Sequence, residues 1–139
     1  MHKGDETLEQ LEGEDWGEPP YDSYLVRTIH ALRRKPIREF SVEDLRITLN
    51  QNVGFEFLTP LALEQLEANP FASGDFYPGD LLVAVMRLTS DFWAAHPNEA
   101  TRMAAIANRV AAETGQRDEI AEIKKKISEL LDEASWRTT

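Results

Sequence analysis

The chain has 139 residues, no cysteine, and 25 acidic against 15 basic residues, which gives a formal charge of −10 at pH 7. A chain of this length can bury a core of its own, and the lack of cysteine excludes disulfides and thiolate metal sites. The charge argues against direct nucleic-acid binding and favours fast encounter with basic partners, although simple solvation would give the same balance.

We expect one domain over residues 1–139. The N-terminal residues lack the apolar core of a secretory signal, and no apolar run reaches the roughly 20 residues of a membrane span. A cytoplasmic protein without membrane contact is therefore expected.

The first 20 residues form an acidic segment. Between residues 5 and 18 it carries seven acids and no base: Asp5, Glu6, Glu9, Glu12, Glu14, Asp15 and Glu18. Leu8, Leu11 and Trp16 predict that a short helix in this segment lies against the body. Gly17 and the prolines at 19 and 20 then break that helix.

A second helix should follow, with Asp22 or Ser23 as its N-cap and Pro36 as its stop. Four residues make its predicted apolar stripe: Tyr24, Leu25, Ile29 and Leu32. Basic residues collect toward its C-terminal end: Arg27, Arg33, Arg34, Lys35 and Arg38. We interpret them as a solvated face that suits the helix dipole, rather than as a phosphate-binding patch.

The middle of the chain predicts two further helices. Ser41 with Asp44 resembles a capping box, and Gly54 is where the chain should leave that helix with positive φ. Thr59-Pro60 predicts the N-cap and first position of the next helix, which should end at Asn69-Pro70. Because this helix is apolar on more than one side, we expect it to be the most central one.

The C-terminal half predicts helices after a loop over residues 71–77. One starts at residues 78–80, residues 89–93 form a capped turn that buries two aromatic rings, and an amphipathic helix runs from Asn98 to Gly115. A last helix would carry a stripe that either completes an antiparallel hairpin or joins a dimer: Ile120, Ile123, Ile127, Leu130 and Leu131. The fold class expected is an all-α bundle of about six helices.

A search for catalytic, metal-binding or cofactor-binding residues finds only one candidate pair. Asp75 and Asp80 flank an aromatic turn and could share a proton or hold a metal. Both also have structural uses in the turn and at the start of the next helix. The polar residues 50–52 are expected to form a buried hydrogen-bond network that holds the end of the preceding helix in place.

Several motifs in fixed order make the chain resemble one known family. They are Thr7-Leu8-Glu9-Gln10-Leu11-Glu12, Leu32-Arg33-Arg34-Lys35-Pro36, Val42-Glu43-Asp44-Leu45-Arg46, Gln51-Asn52-Val53-Gly54 and Gly74-Asp75-Phe76-Tyr77-Pro78-Gly79-Asp80-Leu81-Leu82. Between Thr7 and Trp93 the sequence resembles the immunity proteins of contact-dependent growth inhibition (CDI) systems. Residues 94–139 carry no such motif.

The resemblance implies a protein that binds the toxic C-terminal domain of a delivered effector and blocks it, with no enzymatic activity and no cofactor. It divides the chain into the acidic segment 1–20, a family core over 21–93 and a C-terminal helical pair over 94–139. Motif residues expected to specify the fold are Glu43, Asp44, Leu45, Arg46, Gln51, Asn52, Gly54, Asp75, Tyr77, Pro78, Gly79 and Asp80.

The toxin domain is expected to be basic, and a monomeric inhibitor is favoured over a dimer. The toxin contact would then be the seven acids between residues 5 and 18, or exposed acids of the last two helices. Two other functions stay open. One is a helical adaptor or oligomerisation module with its seam at residues 120–131, and the other is a metal-dependent hydrolase that uses Asp75 and Asp80.

Overall fold

The structure is a computed structural model that describes residues 5–88, 90–112 and 125. This part contains seven α-helices, one short 3-10 helix (Ile37–Glu39) and an isolated β-bridge between Ser73 and Pro78, but no strand. The helices are α1 (Leu8–Glu12), α2 (Tyr24–Leu32), α3 (Val42–Asn50), α4 (Phe55–Ala68), α5 (Asp80–Met86), α6 (Ser90–Ala95) and α7 (Pro97–Ala111). The all-α prediction is confirmed.

Helix α5 is the centre of the core. All of its residues are buried, and both α3 and α4 pack against it. The prediction that α4 is the most central helix is wrong, because α4 keeps an exposed polar face that includes Glu56 and Glu64. Phe92 and Trp93 of α6 are buried, as predicted.

The start of α4 also differs from the prediction. The helix begins at Phe55, so Thr59 is not its N-cap, and the Thr59 hydroxyl instead donates to the Phe55 carbonyl (2.6 Å). Pro60 lies inside the helix. It has no N–H to donate to the Glu56 carbonyl one turn earlier.

The turn between α3 and α4 explains how α4 can begin so early. Val53 N–H donates to the Thr48 carbonyl and Asn52 N–H to the Leu49 carbonyl, with Asn52 at φ 56, which is the Schellman arrangement. Gly54 has the predicted positive φ (61), but it caps the start of α4 instead of ending α3. Residues 50–52 are exposed, so the predicted buried polar network is wrong there.

Helix α2 is capped by Ser23, whose side chain accepts a hydrogen bond from Val26 N–H, and it ends at Leu32, before Pro36. Tyr24 is 68% and Leu25 37% exposed, so half of the predicted apolar stripe lies at the surface. Only the C-terminal part of α2 contributes buried apolar residues.

Helix α7 begins at Pro97 with His96 as its N-cap, so Asn98 is not the cap. Its predicted apolar stripe is buried at Met103, Ile106, Ala107 and Val110. The helix ends at Ala111, before Gly115.

Gly115, the apolar stripe over residues 120–131 and the alternatives of hairpin or subunit seam lie outside the described residues. None of the helices in the described ranges is long and apolar enough to cross a membrane.

Candidate functional site

The N-terminal acids and the basic end of α2 meet in the fold. Four ion pairs join them: Asp5–Arg38 (2.5 Å), Glu9–Arg34 (2.9 Å), Asp15–Arg34 (3.6 Å) and Glu12–Arg33. The Glu9 carboxylate and the neighbouring acids raise the pKa of the Arg34 guanidinium. The basic cluster is therefore partly neutralised within the chain, and it is not simply the solvated face that the sequence suggested.

Arg33 ties the acidic segment to the body. Its side chain is 1% exposed, and its guanidinium donates to the Glu12 carboxylate and to the Glu14 carbonyl (2.6 Å). The same guanidinium lies 4.1 Å from the centre of the Trp16 ring, which meets His30 edge-on. The prediction that this segment lies against the body is confirmed.

Helix α1 has only five residues, and tertiary contacts hold it in place. Thr7 and Gln10 form a capping box at its start. Leu8 is fully buried, and its side chain covers Gly54 so closely that a Cβ at position 54 would lie 2.7 Å from it. Glu9 N–H also donates to the Arg33 carbonyl (3.0 Å). Short helices are marginal in isolation, so this docking accounts for α1.

Asp80 organises the loop before α5. Its side chain is 2% exposed, and its two carboxylate oxygens accept hydrogen bonds from the N–H groups of Gly74 (2.6 Å), Phe76 (3.1 Å) and Tyr77 (3.4 Å). Gly79, with φ 91, precedes it and caps α5. The carboxylate of Asp80 thus fixes the loop that leads into the central helix.

Glu43 and Arg46 of α3 hold the same loop from the other side. Arg46 donates to both Glu43 oxygens (2.6 and 2.5 Å), and Glu43 accepts a further bond from Asp75 N–H (2.8 Å). Hydrogen bonding from Arg46 lowers the pKa of Glu43, and Glu43 in turn raises the pKa of Arg46. The Arg46 guanidinium lies 3.8 Å from Asp80 and 4.2 Å from the centre of the exposed Phe76 ring.

This arrangement gives Asp75 and Asp80 different positions. Asp75 is exposed and joins the network through its backbone N–H, whereas the Asp80 carboxylate is occupied by three N–H donors. Within the described ranges, no group of three or more His, Asp or Glu side chains could hold a metal ion. The Asp80 carboxylate therefore holds the loop together, and the two aspartates do not form an open pair of carboxylates.

Other motif residues lie at helix ends and in the core. Asp44 completes the capping box with Ser41 and binds Lys35 (2.7 Å), while Leu45 is buried. Gln51 is the C-cap of α3. Pro78 forms the bridge to Ser73.

A groove of about 700 Å³ lies between α1, the 3-10 helix and α4; we call it the α4 groove. Half-buried apolar side chains line it, among them Leu11, Phe57 and Leu61. Three carboxylates also line it: Glu6, Glu56 and Glu64. Sequence reasoning missed this groove because its walls are far apart in the chain, although the eight-residue spacing of Glu56 and Glu64 places both on one helix face.

Comparison with known families decides what kind of protein this is. A family model described as CDI immunity proteins matches residues 10–103. The chain belongs to this family. A comparison with curated proteins gives no match.

The family match begins inside α1 and ends in α7, so it contains the whole Glu43–Arg46–Asp80 network. The predicted resemblance to this family is confirmed, and the match covers the quoted motifs from Gln10 onward and extends past Trp93 to residue 103. Asp5, Glu6 and Glu9 precede the matched region.

Proposed function

We propose that this CDI immunity protein binds the toxic C-terminal domain of its cognate effector in the cytoplasm and neutralises it without catalysing a reaction. The family match over residues 10–103 is the observation that carries the proposal. Blockage of the toxin's active site by a bound protein needs only a stable complementary surface. The structural use of Asp80 supports a role without catalysis, since that carboxylate is already bound by the chain itself.

The charge of the chain supports a basic partner. A protein of formal charge −10 accelerates encounter with a cationic surface. Of the seven N-terminal acids, Asp5, Glu9, Glu12 and Asp15 are ion-paired within the chain. Three acids of that segment form no ion pair in the described part: Glu14 and Glu18, which are exposed, and Glu6, which is half-buried.

The direct test is co-expression of the chain with the toxin domain encoded immediately upstream. We expect cells to survive toxin induction and the two proteins to co-purify as a one-to-one complex. The Asp75→Asn variant serves as a control for the hydrolase alternative, since Asp75 contributes only its backbone N–H to the loop and a binding protein does not need its carboxylate for chemistry. Loss of viability with the folded wild-type chain present would contradict the proposal.

A further inference from the structure

The α4 groove combines an apolar surface with carboxylates that form no ion pair in the part of the chain that the structure describes. Leu11, Phe57 and Leu61 are only half-buried in a structure whose other core leucines are mostly covered. Apolar side chains exposed in a concave surface with a polar rim are typical of protein-binding sites. The groove is therefore suited to an apolar side chain from another molecule.

The rim of the groove determines what kind of partner fits. Glu6, Glu56 and Glu64 form no ion pair in the described part of the chain. Among the described residues that line the groove, the cation is Arg38, which is bound to Asp5 (2.5 Å). Among the described residues the rim is thus negatively charged and its acids form no ion pair, in contrast to the four paired acids of the N-terminal segment. Glu64 is near enough to Arg102 to contribute to the raised pKa of that arginine.

Pro60 adds a backbone acceptor to the same wall. Because Pro60 has no N–H, the carbonyl of Glu56 lacks the helical donor it would otherwise have. Pro60 lines the groove, as does Glu56. A carbonyl and three carboxylates around an apolar surface match a donor-rich cationic side chain beside an apolar one.

The groove is also built on a rigid frame. The packing of Leu8 on Gly54 fixes α1 against the start of α4, and Ile37 N–H donates to the Glu6 carbonyl (3.0 Å). Both walls are therefore held before any partner arrives, which lowers the ordering cost of binding.

We propose that the α4 groove is the surface on which the toxin domain docks, by inserting an apolar side chain flanked by Lys or Arg. This inference rests on the proposed function and names the surface that performs it. The seven N-terminal acids then act mainly within the chain, where four of them hold the segment in place, and Glu6 is the member that faces the toxin.

The test measures binding of the purified toxin domain to full-length variants. Glu56→Gln with Glu64→Gln removes two rim charges from exposed positions, where folding should not suffer. We expect affinity to fall about tenfold for each charge, with the larger change in the association rate. Leu61→Ser should weaken affinity about tenfold through faster dissociation.

The matched control is Asp91→Asn with Glu99→Gln. It removes the same total charge from α6 and α7, outside the groove. We expect its affinity to stay within about threefold of the wild type, since the loss is one of general steering alone. Carbodiimide cross-linking should join toxin lysines to Glu56 or Glu64 of the wild-type chain.

The outcomes separate the two proposals. If the wild-type chain binds and protects but the groove variants bind as tightly as the control, the groove is not the docking surface and the proposed function stands. If the groove variants instead change the sedimentation of the chain alone, its occupant is a second copy, and the inference fails. If the wild-type chain neither binds nor protects, both proposals fail.

Discussion

Asp75 and Asp80 belong to the same loop, but only the Asp80 side chain holds that loop together. Asp80→Asn keeps one acceptor oxygen and turns an NH₂ group toward N–H donors, so we expect it to lower the free energy of unfolding by about 3 kcal/mol. Asp75→Asn leaves the backbone N–H bond to Glu43 intact and should change stability by less than about 0.5 kcal/mol. Urea denaturation of both variants measures the difference.

Equal losses of stability in the two variants would contradict the inference that the Asp80 carboxylate holds the loop together. So would heat released on titrating the wild-type chain with Mg²⁺ or Mn²⁺ and abolished in Asp75→Asn, because that result would revive the hydrolase alternative.

The ion pair between Glu43 and Arg46 should make the stability of the fold depend on pH. Hydrogen bonding from Arg46 holds its pKa in the folded state below the ordinary value of 4.5. Its stabilising effect is therefore complete above about pH 4.5 and is lost as the pH falls through the lower folded value. We expect the wild type to lose more stability than Glu43→Gln between pH 6 and pH 3, as measured by denaturant unfolding at each pH. Parallel curves would show that the pair has no such coupling.

Glu67 serves as an internal comparison for that experiment. Hydrogen bonding from Arg102 lowers the pKa of Glu67, but both side chains are substantially exposed. Solvent screening makes such pairs weak. Glu67→Gln should therefore change the slope of stability with pH less than Glu43→Gln does.

Local sequence signals predicted the loop over residues 71–77 and the start of α5, because glycine, proline and aspartate at those positions have specific backbone preferences. They could not predict that Glu43 and Arg46 complete the same network. No periodicity relates residues that lie so far apart in the chain, and burial of the arginine is a tertiary effect. The enzyme alternative arose because the sequence showed the two aspartates without their partners.

At the scale of elements, the contact of α1 with the start of α4 depends on Gly54. An alanine there would have to adopt φ 61 and would place its Cβ 2.7 Å from Leu8. We expect Gly54→Ala to lower the free energy of unfolding by about 2–4 kcal/mol, from backbone strain and overpacking together. Thermal or urea denaturation gives the value.

A double-mutant cycle separates the two causes. Leu8→Ala alone should cost about 2–5 kcal/mol because it leaves a cavity. In the Leu8→Ala background, Gly54→Ala should cost less than it does alone, since only the backbone strain remains. Additive losses would show that Leu8 does not contact position 54.

The helices were predicted best where a capping residue and an apolar stripe indicate the same helix start. The Ser41–Asp44 capping box and the Ser23 cap are both present. The start of α4 was predicted wrongly because Thr59-Pro60 is a strong local signal that tertiary structure overrides. Thr59 turns its hydroxyl back to Phe55, and Asn52 with Gly54 supplies the actual entry to the helix.

At the scale of the whole molecule, net charge alone does not show which acids are free to meet a partner. The sequence shows one acidic run and one basic cluster, and the simplest interpretation gives the first to a partner and the second to solvent. The fold instead pairs them, as at Glu9–Arg34 and Glu12–Arg33. Of the acids that line the α4 groove, Glu56 and Glu64 belong to α4, whereas Glu6 precedes α1, so only the tertiary structure brings Glu6 beside the other two.

Charge should act between the chain and a toxin domain mainly during their encounter. Exposed charges act at a distance only within the Debye length, which is about 10 Å at 0.1 M salt and about 3 Å at 1 M. We therefore expect the association rate to fall at least about tenfold between low and high salt, while the dissociation rate changes much less. Stopped-flow mixing at a series of salt concentrations measures both rates. Circular dichroism at each salt concentration controls for loss of the internal ion pairs. An association rate that does not respond to salt would show that an apolar surface alone directs the encounter.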